Sequence, residues 1–489
     1  MCESCCGNGL DRRQFLQLSA AGVAMTGLAG AALQAQNPPP GKVEKKPARV
    51  MVVFMYPPDD VVQAGKLEDS WAPNHWYTWP GNQFEPDKKR ALMSEKIREM
   101  CAAAGITAEF HPEAIYTLAQ VGNYIGRVKD SVPDAVLVVN FWNTFSAWVS
   151  QIVKETALPA IVYHPVGSSH QLPPKALMEA TGIYYIHSVD NWAEIGNALA
   201  AVNARKMLAQ SRLLRISDAA AGSARDEHLG VEQVHAHAKE YNELFDSIQP
   251  DDQLVKEAMA FKNSALRVVD VTDAYLIDAF RAHRTVQGMM ARYAADAITI
   301  RCLLLQDRKP CVSFSLNNSE LIPCACEDFP DSAMTLMLGR WLFQRAGFMH
   351  NPDFDINRNL YYGAHCTCAL KLHGVDGPSQ KFWIRPFFHQ LPKTAALDVE
   401  WTPAEPVFLA KYVPQQKLLS CWTGKIVESP SSTTAGGCAT RALVEIDKVD
   451  DVCSIYVGPH PILFCGDAAD ARRIKVFARL YGLTLKGNV

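Results

Sequence analysis

The chain has 489 residues, 48% hydrophobic and 20% charged, a balance that fits a globular protein with a sizeable core. Its net charge of −3 leaves no electrostatic case for a nucleic-acid partner or an anionic membrane surface. Of its fourteen cysteines, Cys2, Cys5 and Cys6 stand at the extreme N-terminus. The others are odd in number and scattered, which excludes the disulfide framework of a small secreted domain, although some pairs could close after export.

Asp11-Arg12-Arg13-Gln14-Phe15-Leu16 carries the paired arginine and Phe-Leu read by the twin-arginine translocase. A weakly apolar Ala/Gly-rich stretch, 16–32, follows, and Leu33-Gln34-Ala35-Gln36 offers cleavage after a small residue. The expectation is a signal over residues 1–35, the translocase as partner during export, and a periplasmic or other extracytoplasmic location. Two other readings compete. An ordinary amphipathic helix lacks a reason for the whole pattern, and an uncleaved anchor would be poorly served by so much Ala and Gly. The Cys2-Glu3-Ser4-Cys5-Cys6 run resembles a metal motif but would leave with the signal. This route carries folded proteins, often already loaded with a cofactor, which raises the expectation of a metal. Residues 36–47, rich in Pro and Lys, read as a linker.

Strands are predicted at 48–56, 135–140, 160–163 and 183–187, each a short unbroken apolar run of the kind buried on both faces. Helices over 88–104 and 147–156 lie between them. The alternation predicts a parallel, Rossmann-like sheet over 48–190. A helix capped by Asp190, with Trp192, Ile195, Leu199 and Val202 on one face, opens a second α/β domain over 191–346. There a long helix starts at Thr272 or Asp273 and runs to about Tyr293. Strands are expected at 297–305 and 311–316, then a helix over 332–346 with Gly347 as its cap. Beyond Gly347, short runs at 361–372, 382–387, 407–413, 443–446 and 455–457 predict a β-rich C-terminal domain over 347–489, closed by a helix at 469–481. The expected fold class is therefore α/β, two Rossmann-like domains followed by a β-rich one.

Three segments concentrate chemistry: Cys324-Ala325-Cys326-Glu327-Asp328; Gly347 to Asp355 with Gly363-Ala364-His365; and Gly458-Pro459-His460. Each places a carboxylate or imidazole at a strand end or turn, where side chains can converge. Glu, Asp and His together suit a borderline divalent metal such as Mn²⁺ or Zn²⁺. Taken singly, each histidine is more often structural. The Cys-x-Cys pairs Cys324/Cys326 and Cys366/Cys368 could hold a soft metal, form disulfides, or be small buried residues. The group Trp71, His75, Trp76 and Trp79 could stack on a sugar or simply pack a loop.

In order, these segments resemble the L-fucose isomerase and L-arabinose isomerase superfamily over about residues 295–489. Cys326-Glu327 precedes Ser332-Ala333-Met334-Thr335, as in that family's Cys-Glu turn before an Ala-rich helix. Phe348-Met349-His350-Asn351, Gly363-Ala364-His365 and Gly458-Pro459-His460 follow in the family's order, and the Gly436-Gly437-Cys438 turn also looks like this superfamily. The resemblance implies an Mn²⁺-dependent aldose–ketose isomerase acting on a small sugar or polyol through an enediol, and a homo-oligomer by analogy. It implies Glu327, Asn351, His365 and His460 as metal ligands and Glu327 as a proton-transfer group. Where the family has its second carboxylate, this chain has His350 and Asn351. An amide can ligate through oxygen but cannot accept a proton at neutral pH. The second proton-transfer role then falls to Asp353, or to Asp355. The rival reading is a non-catalytic periplasmic sugar-binding protein on an isomerase scaffold.

Overall fold

In β1 (Ala48–Met55) the side chains alternate between two cores: Val50, Val52 and Phe54 enter one, Met51, Val53 and Met55 the other. A strand apolar on both sides has to be covered on both faces. It pairs into a five-stranded sheet with β2 (Ile106–Phe110), β3 (Ala135–Asn140), β4 (Ala160–Pro165) and β5 (Ile183–Ser188). The order is β2-β1-β3-β4-β5 and every pair is parallel. Helices Pro86–Ala103 and Trp192–Ala209 cover one face; Leu118–Ser131 and Ser146–Thr156 cover the other. The computed structural model describes residues 44–489 except 59, 62–63, 65–85, 166–173, 189–191, 390, 392 and 431–436. The expected signal, most of the linker, the Trp71/His75/Trp76/Trp79 group, the Asp190 cap and Gly436 lie outside the described residues. No described helix is long and apolar enough to cross a membrane.

The second sheet holds β6 (Arg212–Ser217), β7 (Gly222–Arg225) and β8 (Glu232–His237) and, beyond the two-residue β9 (Arg267–Val268), β10 (Ala297–Ile300) and β11 (Cys324–Cys326). Its order is β11-β10-β6-β8-β7, parallel apart from the β7–β8 hairpin. Thr272 caps the long helix Asp273–Arg292, its Oγ1 accepting from Tyr275 N at 3.3 Å.

Three expectations in this region need correction. The strand at 297–305 stops at Ile300 and gives way to a short 3₁₀ turn, Cys302–Leu305. The run at 311–316 is a helix, Cys311–Ser319, whose first turn closes through Phe314 N to the carbonyl of Pro310 at 2.8 Å. Cys-Val-Ser-Phe-Ser alternates like a strand, but almost the whole segment is buried, so its polarity carries no period to read. The next helix runs Pro330–Phe343, with Pro in its first turn, and ends on Gln344 in the left-handed region at φ 53°. Gly347 does not cap it. It begins β12 (Gly347–Met349), where a Cβ would run into Ile462 and Phe464.

After β12 come β13 (Asn351–Asp355) and β14 (Leu360–His365), then β15 (Phe382–Arg385) and β16 (Ala396–Val399), which join β9 in a small sheet. β17 (Pro406–Val413), β18 (Leu418–Glu428), β19 (Thr440–Ile446), β20 (Ile462–Cys465) and β21 (Thr484–Gly487) complete the chain's strands. The eight-stranded sheet runs β12-β20-β17-β18-β19-β14-β13, antiparallel, with β21 added in parallel beside β18. The expected strands at 361–372 and 382–387 end early, at His365 and Arg385. Ile455–Val457 is no strand; it follows a 3₁₀ turn at Val452–Ser454.

One core runs through all of this. It takes Val52 from the first sheet, Leu199 from helix Trp192–Ala209, Ile298 from the second sheet and Leu338 from helix Pro330–Phe343. It continues through Phe408 of β17 to Phe477 of the last helix, Ala468–Leu480. The opposite face of the eight-stranded sheet, through Val407, Leu409 and Val444, packs on helices Asp252–Ser264 and Asp273–Arg292. The expected boundaries near 190 and 346 thus fall within a shared core, and the described chain packs as one unit.

Candidate metal centre

Strand β11 ends the second sheet in a turn that no regular element would hold. Glu327 and Asp328 both take the left-handed conformation, at φ 60° and 54°, which a non-glycine residue adopts at a cost of roughly 1–2 kcal/mol. Asp328 is tied down: its carboxylate accepts from Arg215 Nε and Nη2, each at 2.9 Å, a two-pronged hold from β6. That leaves Glu327 aimed the other way, half-buried, between two imidazoles. His460 Nε2 lies 3.2 Å from Glu327 Oε2, and His365 Nε2 lies 3.9 Å from Glu327 Oε1. One ligand atom from each of the three residues falls within 4.8 Å of the other two.

The histidines are built in from the other sheet. His365 ends β14, fully surrounded, and its Nδ1 meets Thr367 Oγ1 at 3.1 Å. In the tautomer where Nδ1–H donates to Thr367, Nε2 turns an acceptor lone pair toward Glu327. His460 precedes β20 at φ 48°, the third left-handed residue in the group. Its ring lies against Phe329, centroids 4.0 Å apart. Its carbonyl accepts from Ser332 Oγ at 2.7 Å and from Lys411 Nζ at 3.4 Å. Lys411 is wholly buried on β17 and also donates to Ser332 Oγ at 2.6 Å and Asp331 Oδ2 at 3.1 Å. Burial pushes its pKa down to about 8 against the pull of Asp331.

The polar atoms facing the centre have no hydrogen-bond partners among the described residues: His365 Nε2 and both ring nitrogens of His460 are buried, and the 3.2 Å approach of His460 to Glu327 lacks hydrogen-bond geometry. Buried polar atoms are almost always satisfied, and leaving one unpaired costs about 1–3 kcal/mol. A divalent cation among them would satisfy all three residues at once. Electrostatics prepares the donors. Close polar contact with His460 holds Glu327 below the usual carboxylate range against the opposing effect of burial. Burial brings His365 down to about 4, keeping it neutral at ordinary pH. An ionised carboxylate and neutral imidazoles are the forms a metal needs.

The remaining expected residues stand as follows. His350 is fully buried but already used: its Nε2 meets Tyr361 Oη at 2.6 Å and its Nδ1 the carbonyl of Phe348 at 2.9 Å. Its ring lies over Gly363, where a Cβ would come within 2.5 Å of it, so the Gly in Gly363-Ala364-His365 makes room for His350. Asn351 is half-buried on β13, paired with Ala364. Asp353 is exposed on that outer strand and accepts from Phe354 N at 2.8 Å; Asp355 accepts from Arg358 N at 3.2 Å. Neither aspartate is among the converging donors. The Cys-x-Cys pairs also separate. Cys326 Sγ lies 3.0 Å from Cys302 Sγ, Cys324 is bracketed by Asn318, Cys366 enters a small cluster with Cys311 and Cys438, and Cys368 packs in the core near Trp401. All four thiols are free.

Sequence reading missed Arg215, Phe329, Ser332, Thr367 and Lys411. Lys411 left a signal, a lone cation inside the apolar strand Val-Phe-Leu-Ala-Lys-Tyr-Val. The others are ordinary polar or aromatic residues whose role comes only from folding. No protein-family model matches the chain, and no curated protein is significantly similar to it.

Proposed function

We propose that this chain is an exported, metal-dependent protein of the sugar-isomerase type, built from Rossmann-like α/β units and a β-rich portion, with its centre at Glu327, His365 and His460. The observation that carries the reading is the convergence of one carboxylate and two imidazoles whose facing nitrogens are buried without partners. A divalent ion there, Mn²⁺ by family resemblance, would hold two adjacent oxygens of a small sugar and polarise its carbonyl. Glu327, ionised and half-buried, would take a proton from a carbon beside that carbonyl. His365, held neutral by burial, and His460 would be the nitrogen donors, and Phe329 walls one side of His460. Residues 1–35 would deliver the folded chain through the twin-arginine route, and an oligomer is expected by analogy alone.

A second reading has its own support. Isomerisation in this family uses two carboxylates, yet Asp353 and Asp355 bond locally on an outer strand. A metal-holding, sugar-binding protein without the second proton-transfer group fits that placement. Solvent-deuterium incorporation at C1 and C2 of pentoses and hexoses by the Mn²⁺-loaded protein decides between them. Exchange that depends on Glu327 supports the isomerase. Sugar binding without exchange supports the receptor. Absence of both removes the sugar reading.

A further inference from the structure

We infer a second metal site, of the zinc class, at His373, Glu405 and Cys465, made of residues other than those of the Glu327 centre and independent of its function. Three separate segments supply it: the loop after β14, the turn before β17 and the end of β20. One ligand atom from each lies within 4.8 Å of the other two. His373 Nε2 sits 2.7 Å from Glu405 Oε1. The other carboxylate oxygen, Glu405 Oε2, is buried with no hydrogen-bond partner. Beside it lies the Cys465 thiol, whose pKa is raised by burial and by that carboxylate. The contact between His373 and Glu405 accounts for one carboxylate oxygen and leaves the other with only the Cys465 thiol beside it. A cation shared by all three accounts for each atom.

The surroundings favour a built site. Cys465 pairs with Val407, and Gly466 N donates to the carbonyl of Pro406 at 2.9 Å, which fixes Cys465 relative to Glu405. Arg345 Nη1 grips the Cys465 carbonyl at 2.6 Å and is itself held by Asp470. A pocket of about 480 Å³, lined by His373, Gln380, Thr402 and Glu405, reaches two of the three residues. It gives an ion a path in and leaves a fourth position for water or a small ligand, the arrangement of a three-ligand zinc site. The mixed nitrogen, oxygen and sulfur set favours Zn²⁺ over the harder Mn²⁺. On binding, the Cys465 S–H gives its proton to solvent and sulfur ligates as thiolate, while His373 Nε2 gives up the proton it shares with Glu405, to solvent from an imidazolium or by a shift to Nδ1 from a neutral ring, and takes the ion with the freed lone pair.

The probe is Co²⁺, which reports a thiolate ligand by a near-ultraviolet charge-transfer band. The full chain, stripped with chelator, is titrated with Co²⁺ and then with Zn²⁺. Wild type and Glu327→Gln should both develop the band, and Zn²⁺ should bleach it. Cys465→Ser should abolish it. His373→Ala should weaken Co²⁺ binding at least about tenfold. His373 is 40% exposed, so that variant tests the site even if Cys465→Ser folds poorly. No band in wild type, a band kept in Cys465→Ser, affinity unchanged in His373→Ala, or a band that Zn²⁺ cannot bleach would overturn the proposal.

Discussion

His350, between β12 and β13, and His365, at the end of β14, serve opposite ends: one has both nitrogens bonded, the other keeps Nε2 open toward Glu327. Gly363 permits this by admitting the His350 ring. Gly363→Ala should therefore cost about 1–3 kcal/mol by overpacking, read as a lower urea midpoint. Most of that cost should vanish in a double-mutant cycle with His350→Ala. The same burial makes stability pH-dependent. His350 is brought down to about 3 and His365 to about 4, from an ordinary 6.5. Below pH 6.5 the unfolded chain protonates these rings and the fold does not, so stability is lost as pH falls from about 6.5 toward 4. Each site contributes up to about 1.4 kcal/mol per pH unit. Urea unfolding of metal-free protein at pH 7 and pH 5 should show the loss, and His350→Gln should flatten it. Glu327, His365 and His460 were legible because each stands in a short turn or strand-end motif. Asp353 was not. Its position depends on strand β13, where Phe354 turns inward and sends the aspartates the other way, and no local pattern announced that.

Among the elements, β17 shows what a pattern can and cannot tell. Its apolar run predicted a buried strand correctly, and its single lysine marked a polar task that only the fold reveals. Lys411→Met keeps the volume and removes the hold on Asp331, Ser332 and the His460 carbonyl. Mn²⁺ affinity should fall about 10–100-fold, the usual effect of losing a group that orients ligands, with little change in secondary structure by circular dichroism. The helix Cys311–Ser319 was illegible for a different reason. Buried nearly all round, it offers neither a helical nor a strand period. Helix Leu118–Ser131, absent from the elements predicted, starts from a reciprocal cap formed by Thr117 and Gln120. The end of helix Pro330–Phe343 was misplaced because Gln344, not a glycine, takes the left-handed position. Gln344→Gly should stabilise by up to about 1 kcal/mol, visible in the urea midpoint.

Across the whole molecule, the alternating strands and helices of the front and the short strands of the back were both evident from the sequence, but their fusion was not. The expectation of separate domains rested on changes of texture along the chain. The structure instead threads one core from the first sheet to the last helix, where Phe477 packs fully buried. The metal centre depends on that fusion, since Glu327 comes from the edge of one sheet and the two histidines from another. Direct Mn²⁺ titration of the metal-stripped full chain, followed by electron paramagnetic resonance of the free ion, tests the centre most plainly. Wild type should bind one Mn²⁺ per chain, Cys465→Ser should bind it equally well, and Glu327→Gln and His460→Ala should each bind at least about tenfold more weakly. Wild type that fails to bind Mn²⁺, or variants at Glu327 and His460 that bind it as tightly as wild type, would contradict the account.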